Sequence, residues 1–268
     1  MKRTILLTAL LSMFGGGFAQ AAYIGAIDTE NKPFEFSLGA NGSYIGMDRK
    51  FGDEAVKTAQ SVVVGQVNFS VKGWQLGLAG GGVLWEYNKT GIEVKGDAES
   101  EMLPYARIDV GGPIFRGEVL TVGPFLQGSY SDGFDDTASV VNGIASGPLY
   151  SGWNNPSTGY ETMHFDDTLE LTAGVRFQVT IEGAQLYGGP AYYWSESEVS
   201  STLTAWDIAG PGSATSYTNF PLGTHKIAVR KLGAIAGVRW PLETGLRLDL
   251  EGQWFDGAGI SGALSYPF

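Results

Sequence analysis

His164 and Asp166 lie two residues apart, the spacing that puts both on one face of an extended strand, and Asp132, Asp135 and Asp136 cluster upstream of them. An imidazole beside a carboxylate can activate water for hydrolysis, provided the base reaches the proton it is to take. The three aspartates alone could offer oxygen ligands to a calcium ion, and a solvated turn accounts for them more simply. The second histidine, His225, sits between Thr224 and Lys226 with no nearby serine at a same-face spacing, so an activated serine is not indicated. Gly80, Gly81 and Gly82 are followed by neither a lysine nor a helix start, so they do not make a phosphate loop. The absence of cysteine removes disulfides and thiolate metal sites. No catalytic, cofactor-binding or metal-binding residue is assigned on these grounds, and the expectation is a protein that is not an enzyme.

The elements that must position these residues are strands. Among 268 residues, 40 are glycine and 12% are aromatic, a balance suited to a closed β-structure with tight turns. No apolar window is long enough for a spanning helix, so any membrane crossing must be made by strands. Lys2 and Arg3, the apolar residues 5–11, the break at Gly15-Gly16-Gly17 and the small residues of Ala19-Gln20-Ala21 read as a secretory signal over residues 1–21, cut before Ala22. Residues 22–268 then form one domain. A net charge of −11 disfavours nucleic acid as a partner.

Ten segments alternate with period two. They run near 34–46, 61–71, 74–84, 100–110, 117–130, 168–180, 184–194, 226–240, 246–254 and 259–268. The sixth is the cleanest: Leu169, Leu171, Ala173, Val175, Phe177 and Val179 alternate with Glu170, Thr172, Gly174, Arg176 and Gln178. In the eighth, Ile227 and Val229 have the opposite parity to Leu232, Ala234, Ala236, Val238 and Trp240, which predicts a bulge near Arg230 and Lys231. The last segment carries Ile260, Leu264, Tyr266 and the terminal Phe268 on one face. Short turns near 72–73, 111–117, 181–184 and 241–245 alternate with longer polar loops, the longest near 131–165 and 199–225.

This pattern, with its final aromatic residue, resembles bacterial outer-membrane β-barrels. The resemblance implies an all-β, antiparallel transmembrane barrel of about ten strands, or eight if the segments near 61 and 100 are not strands. It also implies embedding in the outer-membrane bilayer, periplasmic turns, long extracellular loops, and reading of the last strand and Phe268 by the barrel-assembly machinery. Phe34, Trp74, Phe115, Phe177, Trp240 and Phe268 are expected at periplasmic strand ends. Tyr44, Tyr87, Tyr130, Tyr192, Trp194 and Trp254 are expected at outer ends.

The inward list is Glu35, Asn41, Arg107, Asp109, Glu118, Glu170, Arg176, Arg239, Arg247, Asp249 and Glu251. Mixed signs in so narrow a barrel favour cross-lumen ion pairs and a plugged interior over a wide pore. The loops at 131–165 and 199–225, with Trp153, Trp206, Tyr217 and Phe220 among small polar residues, suit either an extracellular ligand or closure of the barrel mouth. The leading expectation is a structural or surface-interaction barrel, and the alternative is a small channel for ions or solutes. A third is a surface protease of the omptin type, a ten-stranded family that sets an aspartate–histidine pair across the mouth from two aspartates. Here the order is reversed, His164 before Asp166, and the acidic groups fall on adjacent strands.

Overall fold

The computed structural model describes residues 23–28, 32–51, 54–90, 96–142, 158–207 and 216–268. The strands are β1 (Glu35–Phe51), β2 (Glu54–Val71), β3 (Trp74–Thr90), β4 (Gly96–Glu99), β5 (Leu103–Gly111), β6 (Phe115–Arg116) and β7 (Leu120–Ser131). They continue with β8 (Phe134–Asn142), β9 (Thr158–Phe165), β10 (Thr168–Ile181), β11 (Ala184–Asp207), β12 (Ser216–Pro241), β13 (Arg247–Trp254) and β14 (Ala258–Pro267). Ten of them close an antiparallel barrel in the order β1-β2-β3-β5-β7-β10-β11-β12-β13-β14. The last ladder, Ser37↔Pro267 to Ile45↔Gly259, returns the sheet to β1. Strands consecutive around the barrel pair with each other, and two-residue turns join β2 to β3 and β10 to β11. Lys72 and Gly73, and likewise Glu182 and Gly183, both have positive φ, which matches the turn twist to the strand twist.

Strand length separates two storeys. β5, β13 and β14 have 9, 8 and 10 residues, near the 9–11 or so that cross a bilayer. β11 has 24 and β12 has 26. At roughly 3.3 Å per residue and a tilt near 40°, β12 rises about 65 Å, far beyond an apolar band of about 25 Å. Where the β13–β14 hairpin turns back, β1 pairs directly with β12 through Lys50↔Ala228 and Phe51↔Ile227. On the opposite wall β4 pairs with β3, while β8 and β9 pair with each other and β9 pairs with β11. The Glu99 amide donates to Asp136 Oδ2 at 2.7 Å, joining β4 to β8. The loops expected at 131–165 and 199–225 are therefore largely strand, and Trp206 stands opposite Tyr217 in the β11–β12 ladder. Residues 143–157, including Trp153, and 208–215 lie outside the described residues.

The two storeys have opposite polarity. In the lower one Leu38, Val63, Leu78, Ile108, Leu126, Leu171 and Leu264 face outward, and glutamine, serine, arginine and carboxylate side chains face in. Higher up, Ile45, Met47, Val83, Trp85, Val199, Ile227 and Val229 face in and are buried, while Asp48, Lys50, Glu86, Glu198, Lys226 and Arg230 face out. This explains the parity change in β12 and corrects the expected bulge: the ladder from Ala228↔Glu196 to Leu232↔Tyr192 is unbroken. Ile227 and Val229 point inward because water, not lipid, lies outside them. The described register shift falls higher, between Ser201 and Thr202.

The aromatic rings follow the same rule, with one correction. Phe34, Trp74, Phe115, Phe177, Trp240 and Phe268 are exposed at periplasmic ends, and Tyr130, Tyr192 and Trp254 are exposed at the other level. Tyr87 is 2% exposed and faces inward. It belongs to the upper core, stacked 4.7 Å from Phe165, which lies 4.5 Å from Phe134. Phe165→Ala should cost the upper storey about 3–5 kcal/mol, since truncating a buried phenylalanine leaves a cavity. Denaturant unfolding followed by tryptophan fluorescence checks this; a loss below about 1 kcal/mol would mean the upper interior is not a packed core.

Candidate functional site

Strand alternation sends side chains from all ten barrel strands into one lumen, and charge sorts them into layers. At the periplasmic end Arg247 of β13 donates twice to Glu35 of β1, at 2.6 and 3.1 Å, and Lys32 Nζ reaches the same carboxylate at 2.7 Å. Arg239 of β12 donates through Nε to Asp249 at 2.8 Å. A bidentate arginine–carboxylate pair is among the strongest ways to hold a charge away from bulk water.

Above this layer residues 23–28 enter the barrel as a buried segment that belongs to no strand. Glu251 accepts the amides of Ile24 (3.1 Å) and Gly25 (2.9 Å) and the Tyr187 hydroxyl (2.9 Å). Gln178 pairs reciprocally with Ile27, accepting its N–H at 2.7 Å and donating to its carbonyl at 2.9 Å. Arg176 donates to the carbonyls of Ile24 and Gly25, and Gln127 donates to that of Tyr23 at 2.9 Å. A pocket beside the segment, lined by Arg107, Asp109, Gln66 and Ser70 among others, has a volume of about 30 Å³. That is room for a water or two, far short of a solute.

The next layer is centred on Glu170. It accepts from Arg49 Nη2 at 3.2 Å, Gln60 at 3.1 Å, Ser129 at 3.0 Å and the Tyr193 hydroxyl. Arg49 also donates to Ser195 at 2.6 Å, and its guanidinium lies 4.6 Å from the Trp85 ring centre. The aromatic stack of Trp85, Tyr87, Phe165 and Phe134 covers this layer.

Ten of the eleven residues expected to face inward do so. Glu118 does not: it is exposed in the turn between β6 and β7, where the chain has not yet entered the barrel wall. Two elements of the lumen are not indicated by the period-two pattern of the sequence. Arg49 lies beyond the segment taken as the first strand, and residues 23–28 have no periodicity to reveal them. The only cue is an apolar run between the expected signal and the first strand.

His164, Asp135 and Asp166 do come together, but on the outer wall of the upper storey. Met163 and Phe165 face in, which turns His164 out. Its Nδ1 contacts Asp135 across the β8–β9 ladder and its Nε2 lies 3.2 Å from Asp166. The shallow pocket around it is lined by Asp132, Gly133, Phe165, Asp166 and Asp167. Asp136 is engaged instead with the Glu99 amide, and among the described residues no group of three or more acidic or histidine side chains is arranged to hold a metal ion. Because β8 and β9 are neighbours, His164 and Asp135 meet along one wall and not across a mouth. His225 lies within β12 close to the register shift, opposite Val199 in the ladder.

A sheet that carries this much apolar surface outward and this much charge inward needs lipid around it, and it must be closed. The chain is a bacterial outer-membrane-type β-barrel. No family model matches it, and no curated protein does. Solved structures similar to it include the translocator domain of the autotransporter NalP from Neisseria meningitidis, 12% identical, with 90% of each chain covered and a TM-score of 0.45. The outer membrane protease OmpT from Escherichia coli is 12% identical over 92% of this chain and 100% of its own, with a TM-score of 0.41. The outer membrane protein OprG from Pseudomonas aeruginosa is 11% identical over 91% and 99%, with a TM-score of 0.37. At such identity no residue's role passes from them to this chain.

The contact of both His164 nitrogens with carboxylates sets a pH dependence. Only the imidazolium can donate from both nitrogens. The Asp135 hydrogen bond, with Asp166 on the other side, raises the pKa of His164 above the ordinary 6.5. Its stabilisation of the β8–β9 hairpin is complete below about pH 6.5 and is lost as pH rises through the higher folded-state value. Hydrogen exchange in β8 and β9, corrected for intrinsic rates, should quicken between pH 5.5 and 8.5, and His164→Asn should remove that change. Equal pH dependence in both proteins would show that the contact is not responsible.

Proposed function

We propose that this protein is a closed, non-enzymatic surface barrel, whose lower storey is fixed in the outer membrane and whose upper storey holds the β8–β9 and β11–β12 hairpins above it as a recognition surface. The observation that carries this reading is double closure of the lumen. Residues 23–28 fill the periplasmic half, and the Arg49–Glu170 layer beneath the aromatic stack fills the outer half. A hydrated ion would have to break charge-assisted hydrogen bonds at both levels. The upper storey, packed like the interior of a soluble barrel, is rigid enough to present the outer ends of β8, β9, β11 and β12 to an extracellular ligand.

The non-enzymatic part of the proposal rests on His164. A general base needs a free lone pair aimed at a substrate proton, and here each ring nitrogen faces an aspartate on the outer wall. The channel alternative is tested directly. Full-length protein, refolded and shown to be heat-modifiable, should give no discrete conductance steps in a planar bilayer; stable steps would overturn the closed reading.

We further propose that the assembly machinery reads β14. Phe268 is 70% exposed, its amide donates to the Phe36 carbonyl at 2.8 Å, and its ring meets Tyr266 and Phe36 at the barrel seam. Removing Phe268 should slow insertion in cells by about tenfold or more while leaving refolding in detergent nearly unchanged, since a single exposed residue contributes little to the folded barrel. A parallel loss in both assays would make Phe268 a stability element instead.

A further inference from the structure

The segment 23–28 is held in an unusual way. It pairs with no strand, yet Ala26 and Ile27 are completely buried and the other described residues nearly so. Its backbone is gripped by side chains from separate strands: Glu251 of β13 on two successive amides, Gln178 and Arg176 of β10 on the Ile27 peptide groups and on two carbonyls, and Gln127 of β7 on a third carbonyl. A carboxylate accepting adjacent N–H groups and an amide pairing reciprocally with a peptide unit are the hydrogen bonds by which a receptor holds an extended chain. None of these gripping side chains belongs to the segment itself.

Specificity is layered on that grip. Gly25 has φ of +78°, and the folded-back ring of Tyr23 occupies the space where a Cβ at position 25 would stand. The Tyr23 hydroxyl accepts from Arg239 Nη2 at 3.1 Å. At the other end Ser70 donates to the Asp28 carboxylate at 2.9 Å. The bound conformation therefore calls for a tyrosine held by Arg239, a glycine two positions on and an acid three positions after that.

We propose that the periplasmic half of the lumen is a binding site for an extended peptide of this kind, occupied here by the chain's own residues 23–28, which are an exchangeable occupant. The barrel residues that form the site sit on ladders that do not involve the segment, so the site persists when its occupant leaves. The tether through residues 29–34 gives that occupant an effective concentration in the millimolar range, which hides the site from free peptide while the chain is intact. Cutting the tether removes that advantage. The proposal goes beyond the closed-barrel reading, because its readout is bound peptide, not current.

The experiment uses the full chain with a protease recognition sequence in place of residues 29–31, folded intact and then cut. A fluorescent peptide with the sequence of residues 23–28, labelled at its carboxyl end, is added, and anisotropy is followed. Saturable uptake by the cut barrel, little uptake by the uncut barrel, and loss of roughly tenfold or more in affinity for the Gly25→Ala peptide are expected. Glu251→Gln in the barrel should weaken binding by roughly 10- to 100-fold, the range for hydrogen bonds to a charged group. Equal uptake by cut and uncut barrels, indifference to Gly25→Ala, or a cut barrel that neither releases its fragment nor takes up the peptide would overturn the proposal.

If cutting unfolds the barrel, the uncut chain decides. With Ile27→Cys as a reporter, Glu251→Gln should speed modification by a small maleimide by roughly 10- to 100-fold, the same loss of grip. An unchanged rate would overturn the site as drawn.

Discussion

A bilayer offers no hydrogen bonds, and that single deprivation organises this protein. Every backbone N–H and C=O at membrane depth must find its partner in the next strand, so the sheet cannot end and has to close on itself. The β1–β14 ladder is where that demand is met. Closure forces alternate side chains into an enclosed interior, and because the outward positions must be apolar the inward ones carry the polar residues. A polar interior of this width is not a neutral consequence. Its charges must be paired or wet, and Glu35 with Arg247, Asp249 with Arg239 and Glu170 with Arg49 are the pairs that result.

The same reasoning run in reverse explains the upper storey. Once the wall rises past the headgroups, water lies outside and the advantage of apolar outward residues disappears. The strands keep their pairing and exchange their faces' chemistry, so that Trp85, Phe165 and Ile227 pack inside while Glu86, Lys226 and Arg230 meet solvent. No bulge or break is needed, because period two places residues on two faces without specifying which solvent each face meets. The two storeys also differ in what holds them together. The lower depends on lipid and on charge-assisted hydrogen bonds, the upper on an ordinary apolar core that would favour closure in water as well.

This difference decides what could be read from the amino-acid sequence. β10 was legible in full, since its six outward apolar residues share one parity and match the length of a membrane crossing. β12 is legible as a strand but not in its meaning: the change of parity at Ile227 and Val229 suggests a geometric fault, whereas it reports a change of surroundings. The extracellular loops were overdrawn for the same reason, since polar outward residues in β8, β9 and β11 look like loop composition when the outside is assumed to be lipid. The His164–Asp135 contact depends on the register of two strands separated by a long connection, and no local spacing encodes that.

The segment 23–28 shows where sequence patterns stop being informative. A strand announces itself through repetition, and a side-chain ligand through residue type. This segment does neither, because what the barrel recognises in it is mostly backbone. Glu251 and Gln178 bind groups that every peptide possesses, and only Gly25 and the two polar ends impose chemistry of their own. The receptor is what reveals such a partner: a carboxylate and an amide placed deep in a lumen, on strands whose neighbouring positions satisfy them only in part. Glu251 has the Tyr187 hydroxyl and the Gln253 amide within reach, yet its remaining acceptor sites face the barrel axis and are filled by a chain that comes from elsewhere. In a closed barrel, buried acceptors of this kind identify an occupant that periodicity leaves invisible.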